Sequence, residues 1–135
     1  MTIAEWSDFA PPLALQLLEV MGQAEVVIAV NVGGRNPDVM AVLASAGAHA
    51  AFIDCERTGI GLDVATELIR AAKVAGLTSL VRSWSKDPAV LVQFMDRQVD
   101  GLVVPHINCA QDAADGAGDA ENQQNVPVNV AAEAV

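Results

Sequence analysis

Ala50-Ala-Phe-Ile-Asp-Cys-Glu-Arg57, then a helical pattern from Asp63 to Gly76, then Ser79-Leu-Val-Arg82: this is the stretch whose reading decides the fold. A short apolar run with a polar exit, an amphipathic helix and a second apolar run describe one β-α-β unit with parallel strands buried on both faces. The same phrase recurs on either side. Apolar runs stand at Val26 to Val30, Ala50 to Ile53, Ser79 to Arg82 and Leu102 to Pro105, each about 25 residues after the last, which is the length of one βα unit. Eight such units make the roughly 250 residues of a closed (β/α)8 barrel, whose chemistry sits at the C-terminal strand ends. The expected class is therefore α/β, the N-terminal half of such a barrel, with about four βα units behind an N-terminal helix.

The punctuation agrees with that reading. Phe9, Leu13, Leu17 and Met21 follow i, i+4 spacing in an opening helix, with Pro11 and Pro12 in its first turn, and this helix is expected to plug the closed end of the barrel. Asn36-Pro37 reads as N-cap and first helical residue, with an apolar face of Val39, Val42, Leu43 and Ala46 and a stop at Gly47. Asp63 is expected to cap the helix that runs through Val64, Leu68 and Ala72 to Gly76, and Asp87-Pro88 repeats the cap-proline signal before Leu91, Phe94 and Met95. The half-barrel domain is taken as residues 1–111. Residues 112–135 are small, acidic and amide-rich and read as a flexible tail, within which Val126-Pro-Val-Asn-Val130 is a possible strand that Pro127 would confine to an edge.

Composition excludes several functions. Seven basic against seventeen acidic residues give a formal net charge of −10, which repels nucleic-acid backbones and anionic lipid heads. No apolar run approaches the roughly 18 residues of a membrane span, and Met1-Thr-Ile-Ala-Glu-Trp6 lacks the basic start of a signal peptide, so a soluble, cytoplasmic protein is expected. Cys55 and Cys109 are too few and too far apart for a zinc knuckle or a disulfide framework and read as small buried thiols.

Chemistry is expected where polar residues leave the strands. The second run exits into Asp54-Cys55-Glu56-Arg57, the third ends at Arg82 before Ser83 and Trp84, and the fourth exits through Pro105-His106-Ile107-Asn108. Arg82 offers a fixed fork of donors to a carboxylate or a developing oxyanion, with Asp54 and Glu56 to orient it or to hold a water. A buried ion pair at the barrel mouth, with no chemical role, is the alternative. Trp84 is a candidate wall of the pocket or a cover for apolar surface. Gly33-Gly34-Arg35 reads as a tight βα turn rather than a phosphate loop, because the full loop spacing is missing. His49 falls at the closed end and reads as structural.

The same residues carry a resemblance. Phe52-Ile-Asp-Cys-Glu-Arg-Thr-Gly59, Leu80-Val-Arg-Ser83 and Met95-Asp-Arg-Gln-Val-Asp-Gly-Leu-Val-Val-Pro-His-Ile-Asn-Cys-Ala-Gln-Asp-Ala113 resemble the HpcH/HpaI aldolase family. These are metal-dependent pyruvate aldolases related to 4-hydroxy-2-oxoheptanedioate aldolase. The family pattern runs Asp-x-Glu-His-Gly, Val-Arg, Leu-Asp-x-Gly-Ala-x-Gly and a Pro-x-Val-Asn-Thr-like segment ending in Glu-x-Ala.

The resemblance implies a carbon–carbon lyase that takes a small keto acid, releasing pyruvate and an aldehyde from 4-hydroxy-2-oxo acids. A divalent metal, magnesium or manganese, chelates pyruvate there, an arginine stabilises the enolate, and a histidine–aspartate pair moves protons. By position, Arg82 is the enolate-stabilising arginine, Asp96 the aspartate of the pair, and Asp54 and Glu56 the acidic residues before the histidine. At the histidine position stands Arg57, which stays protonated and cannot act as a base. An Arg57–Asp96 ion pair is expected in place of the dyad.

The family's metal carboxylates come from later strands than the four read here. Glu121 and Glu133 match neither, so no metal ligand is assigned in this chain. His106 is scarce enough to attract attention, but it follows Pro105 where the family places a histidine or a bulky residue without a catalytic role. Two expectations follow. One is an aldolase-type lyase, inactive as an isolated half barrel and acting as a homo-oligomer or with a complementing half. The other is a non-catalytic homologue serving assembly.

Overall fold

The computed structural model describes residues 12–23, 26–112, 114–115 and 129–132. A parallel sheet runs in the order β1 (Ala29–Asn31), β2 (Ala50–Asp54), β3 (Thr78–Arg82), β4 (Gly101–Val104) and β5 (Asn129–Ala132). Helices α1 (Pro12–Gly22), α2 (Val39–Ser45), α3 (Leu62–Ala75) and α4 (Pro88–Met95) accompany it, and residues 110–112 and 114–115 are helical as well. Every strand pair is parallel, and each of the first three crossovers is a helix, so the α/β half barrel expected from the sequence rhythm is the fold observed.

Burial explains why these segments are strands. In β2 and β3 four of five residues are buried, the ends of each strand included, as in a sheet covered on both faces. Strand β1 is shorter than the apolar run that announced it, and its residues are mostly exposed because it pairs only with β2 among the described residues. One continuous core joins Ile53, Val81, Leu102 and Val104 of the strands to Leu68, Ile69 and Ala72 of α3 and Leu91, Phe94 and Met95 of α4. Helix α3 owes its position to Ala65, Leu68, Ile69 and Ala72, a stripe at helical spacing whose members are all buried.

The helix signals hold in part. Asp87 caps α4, its Oδ1 accepting from Ala89 N at 2.9 Å, with Pro88 in the first turn. Gly76 ends α3 in the left-handed region at φ +78. Two starts differ from expectation. The N-cap of α3 is Gly61, with Asp63 inside the first turn, where its charge still favours the helix dipole. Helix α2 begins after Asp38, because Asn36 Oδ1 first accepts from Asp38 N at 3.0 Å and spends that cap on a preceding turn.

Helix α1 lies beneath the N-terminal strand ends. Thr78 Oγ1, at the start of β3, donates to Leu13 O at 2.9 Å, and a cleft of about 150 Å³ separates Gln16, Leu17 and Val20 from His49 and Thr78. That is the closed end of the barrel, where the helix was expected; Phe9 and Pro11 lie outside the described residues. His49 Nδ1 accepts from Ile28 N at 3.1 Å, a structural role joining the chain before β1 to the start of β2. Within the stretch read as a tail, Asn129–Ala132 forms β5, which pairs only with β4 among the described residues; most of that stretch, Pro127 included, lies outside them.

Candidate active site at the strand mouths

Register brings the charges together. In the β2–β3 ladder Asp54 pairs with Arg82, so parallel neighbours of equal height point an acid and a base to the same end of the sheet. Arg82 Nε donates to Asp54 Oδ1 at 3.0 Å and its NH2 to Asp54 Oδ2 at 2.5 Å, a two-point pair between side chains that are both buried. Asp54 Oδ1 also accepts from the backbone N–H groups of Glu56, at 3.1 Å, and Arg57, at 3.2 Å, which folds the exit of β2 into a tight turn. The hydrogen bond from Arg82, helped by these backbone donors and opposed by burial, holds the Asp54 carboxyl below its ordinary value of 3.8.

The turn swings Glu56 back over Arg82. Its Oε2 lies 3.1 Å from Arg82 Nε, and its Oε1 lies 2.8 Å from His106 Nε2. A chain of contacts therefore runs Asp54, Arg82, Glu56, His106 across the ends of β2, β3 and β4. The guanidinium also sits 5.8 Å from the Phe52 ring centroid. His106 is outermost, with 60% of its side chain exposed against 14% for Glu56. Its φ of +57 is in the left-handed region, shared among non-glycine described residues only by Gln98.

The other expected residues fall differently. Trp84, on the loop after β3, stacks edge-on against Phe94 with centroids 4.8 Å apart and planes at 65°, and is partly exposed at the rim. Arg57 and Asp96 are both exposed and no ion pair joins them. The topology forbids it: Arg57 follows the C-terminal end of β2, whereas Asp96 ends α4, which has run back to the end where β4 begins. The expected replacement of the dyad by that pair is thus corrected.

Cys55 is buried, and desolvation, with the Asp54 charge adding to it, pushes its thiol up to about 12, so it is unreactive. Cys109 is exposed, against expectation. Arg35 NH2 donates to Gly59 O at 2.8 Å, tying the loop after β1 to the loop after β2. Lys86 Nζ contacts Asp112 Oδ1 at 2.8 Å and joins the loop after β3 to the segment after β4. The Lys86 hydrogen bond is the first cause holding Asp112 below its ordinary carboxylate value.

Sequence reasoning missed two features. The Glu56–His106 contact depends on a left-handed residue and a turn whose joint geometry no spacing encodes. The second is Asp100, buried at the opposite end of β4 and satisfied by Ser79, whose N and Oγ donate to its Oδ2 at 2.9 and 2.6 Å. That pair locks β3 to β4 beneath the site.

Comparisons with known proteins agree with this fold. No protein-family model matches the chain. It is 38% identical over 79 residues to the 4-hydroxy-4-methyl-2-oxoglutarate aldolase cghB of Chaetomium globosum, an overlap of 58% of this chain and 29% of that protein. Among solved structures it superposes on the citrate synthase SbnG with a TM-score of 0.76 at 19% identity, covering 86% of this chain and 54% of that one. An HpcH/HpaI aldolase from Desulfitobacterium hafniense DCB-2 gives a TM-score of 0.71 at 23% identity, covering 82% and 43%. The chain spans less than a third of the curated relative and about half of the solved barrels.

Proposed function

We propose that this half barrel, which resembles the HpcH/HpaI aldolases in sequence and in fold, serves an aldolase-type carbon–carbon lyase acting on 4-hydroxy-2-oxo acids. The observation that carries the reading is Arg82, braced by Asp54 and Glu56 at the C-terminal strand ends. Retro-aldol cleavage breaks a carbon–carbon bond beside a ketone and places negative charge on the ketone oxygen. A guanidinium already held by two carboxylates needs no reorganisation to meet that charge, which is where electrostatic catalysis gains most. Trp84, on the loop after β3, stands at the rim with its ring packed on the buried Phe94.

The metal implied by the resemblance finds no fit among the described residues. Both Asp54 oxygens face Arg82, the Glu56 oxygens face Arg82 and His106, and no group of three or more His, Cys, Asp or Glu side chains converges on one point. No step is therefore routed through a metal. We further place the protein in the cytoplasm, on the evidence of free thiols, and as an associating chain, because β1 leaves one edge unpaired among the described residues. No described helix is long and apolar enough to cross a membrane.

The test is release of pyruvate from 4-hydroxy-4-methyl-2-oxoglutarate by the full chain, with and without added manganese. Arg82→Lys, which keeps the charge but loses the fork, is expected to lower the rate by about 100-fold. A chain that releases no pyruvate would leave the non-catalytic homologue as the reading.

A further inference from the structure

We infer that His106, held by Glu56, is the proton carrier of this site. The inference rests on the lyase reading, and it supplies the base which Arg57 cannot be. Two independent observations point to it. Glu56 Oε1 lies 2.8 Å from His106 Nε2 while the other Glu56 oxygen engages Arg82, so base and oxyanion partner are fixed to one carboxylate. The His106 backbone adopts φ +57, a conformation that residues with a Cβ rarely take. Such strain persists where the surroundings hold it, and here it accompanies a turn that sets the Nε2 edge of the ring against Glu56.

The contact also assigns the nitrogens. With Nε2–H donating to the Glu56 carboxylate, Nδ1 is the acceptor in the neutral ring, on a side chain that is largely exposed. The groups that face His106 through this contact are Glu56 and, behind it, Arg82 and Asp54.

In the cleavage direction Nδ1 takes the proton of the C4 hydroxyl. The C4 oxygen becomes a carbonyl as the C3–C4 bond breaks, and the bonding pair forms the C2–C3 double bond of an enolate whose oxygen faces Arg82. The imidazolium then returns its proton to C3, giving the methyl group of pyruvate. Atoms and charge balance with no further reactant. Glu56 acts as a positioning residue, because it touches His106 and Arg82 rather than the reacting atoms.

The full chain and its His106→Gln and His106→Gly variants are compared in two assays, cleavage of the same oxo acid and deuterium uptake at C3 of pyruvate in D2O. Gln keeps a donor near the Nε2 position but cannot accept a proton; Gly relieves the left-handed strain, so neither variant is expected to unfold. Both should lose about 100-fold in kcat and in exchange, with KM within about threefold. Undiminished cleavage in both variants would overturn the assignment to His106 and leave the lyase reading standing. Exchange that is lost in both variants, in a chain that does not cleave, would uphold His106 and reject cleavage. Neither activity in the unmodified chain would reject both.

Discussion

Asp54 and Asp96 were singled out by the same resemblance, and their surroundings now separate them. Asp54 shares a buried two-point pair with Arg82, so Asp54→Asn removes the charge that holds both guanidinium nitrogens, leaves Arg82 its contact with Glu56, and is expected to destabilise the fold by about 3 kcal/mol. Asp96 is exposed at the C-terminal end of α4, and Asp96→Ala is expected to change stability by no more than about 0.5 kcal/mol. Urea unfolding at pH 7 measures both; equal losses would mean that Asp96 has a partner after all. The Asp54 effect also has a sign in pH. Its folded carboxyl lies below the ordinary 3.8, so its contribution is complete above that value and is lost as pH falls through the folded value. The gap between Asp54 and its Asn variant should therefore narrow from pH 7 to pH 3. For catalysis, Arg57→His should add no activity, because its partner in the family's dyad stands at the other end of the sheet; a clear gain in pyruvate release would show otherwise.

Between elements, Gly101 is the glycine at which an added Cβ would be most crowded among the described residues. A Cβ built there would lie 2.6 Å from Leu80 Cδ2, its partner across the β3–β4 ladder, so a glycine here leaves room for the Leu80 side chain. Gly101→Ala should cost about 1–3 kcal/mol by overpacking, and Leu80→Ala in the same chain should recover part of that cost. Additive losses in the double variant would mean that the strands, not the Leu80 side chain, had moved. The Ser79–Asp100 pair lies one residue further toward the closed end and holds the same two strands, so strain from Gly101→Ala has little room to relax there. This junction was only half legible: the sequence places Asp100 and Gly101 before a strand, but the opposing Leu80 and Ser79 come from a separate βα unit.

At the scale of the molecule, the edge of β1, unpaired among the described residues, and the exposed Val26 and Ile28 beside it set the expected behaviour in solution. An unpaired parallel edge with apolar neighbours favours pairing with another strand, while a net charge of −10 opposes unlimited aggregation. Sedimentation at micromolar concentration is expected to show a discrete species heavier than the 14.0 kDa chain. A compact monomer would remove the argument for association.

Local information was enough for the half barrel. Apolar runs about 25 residues apart, Asp87-Pro88 and Gly76 announce alternating strands and helices because period, capping and φ preferences act within one unit. Those same runs placed Asp54, Glu56 and Arg82 at one end of the sheet, since every parallel strand exits on the same side. What the side chains do there was decided only by the tertiary structure. Whether Asp54 grips Arg82, whether Arg57 reaches Asp96, and which acid meets His106 depend on register between units, on the return direction of α4 and on one left-handed residue after β4. None of these is a property of a neighbouring stretch of chain. They arise from packing, in which contacts between distant residues outweigh the preferences of each segment.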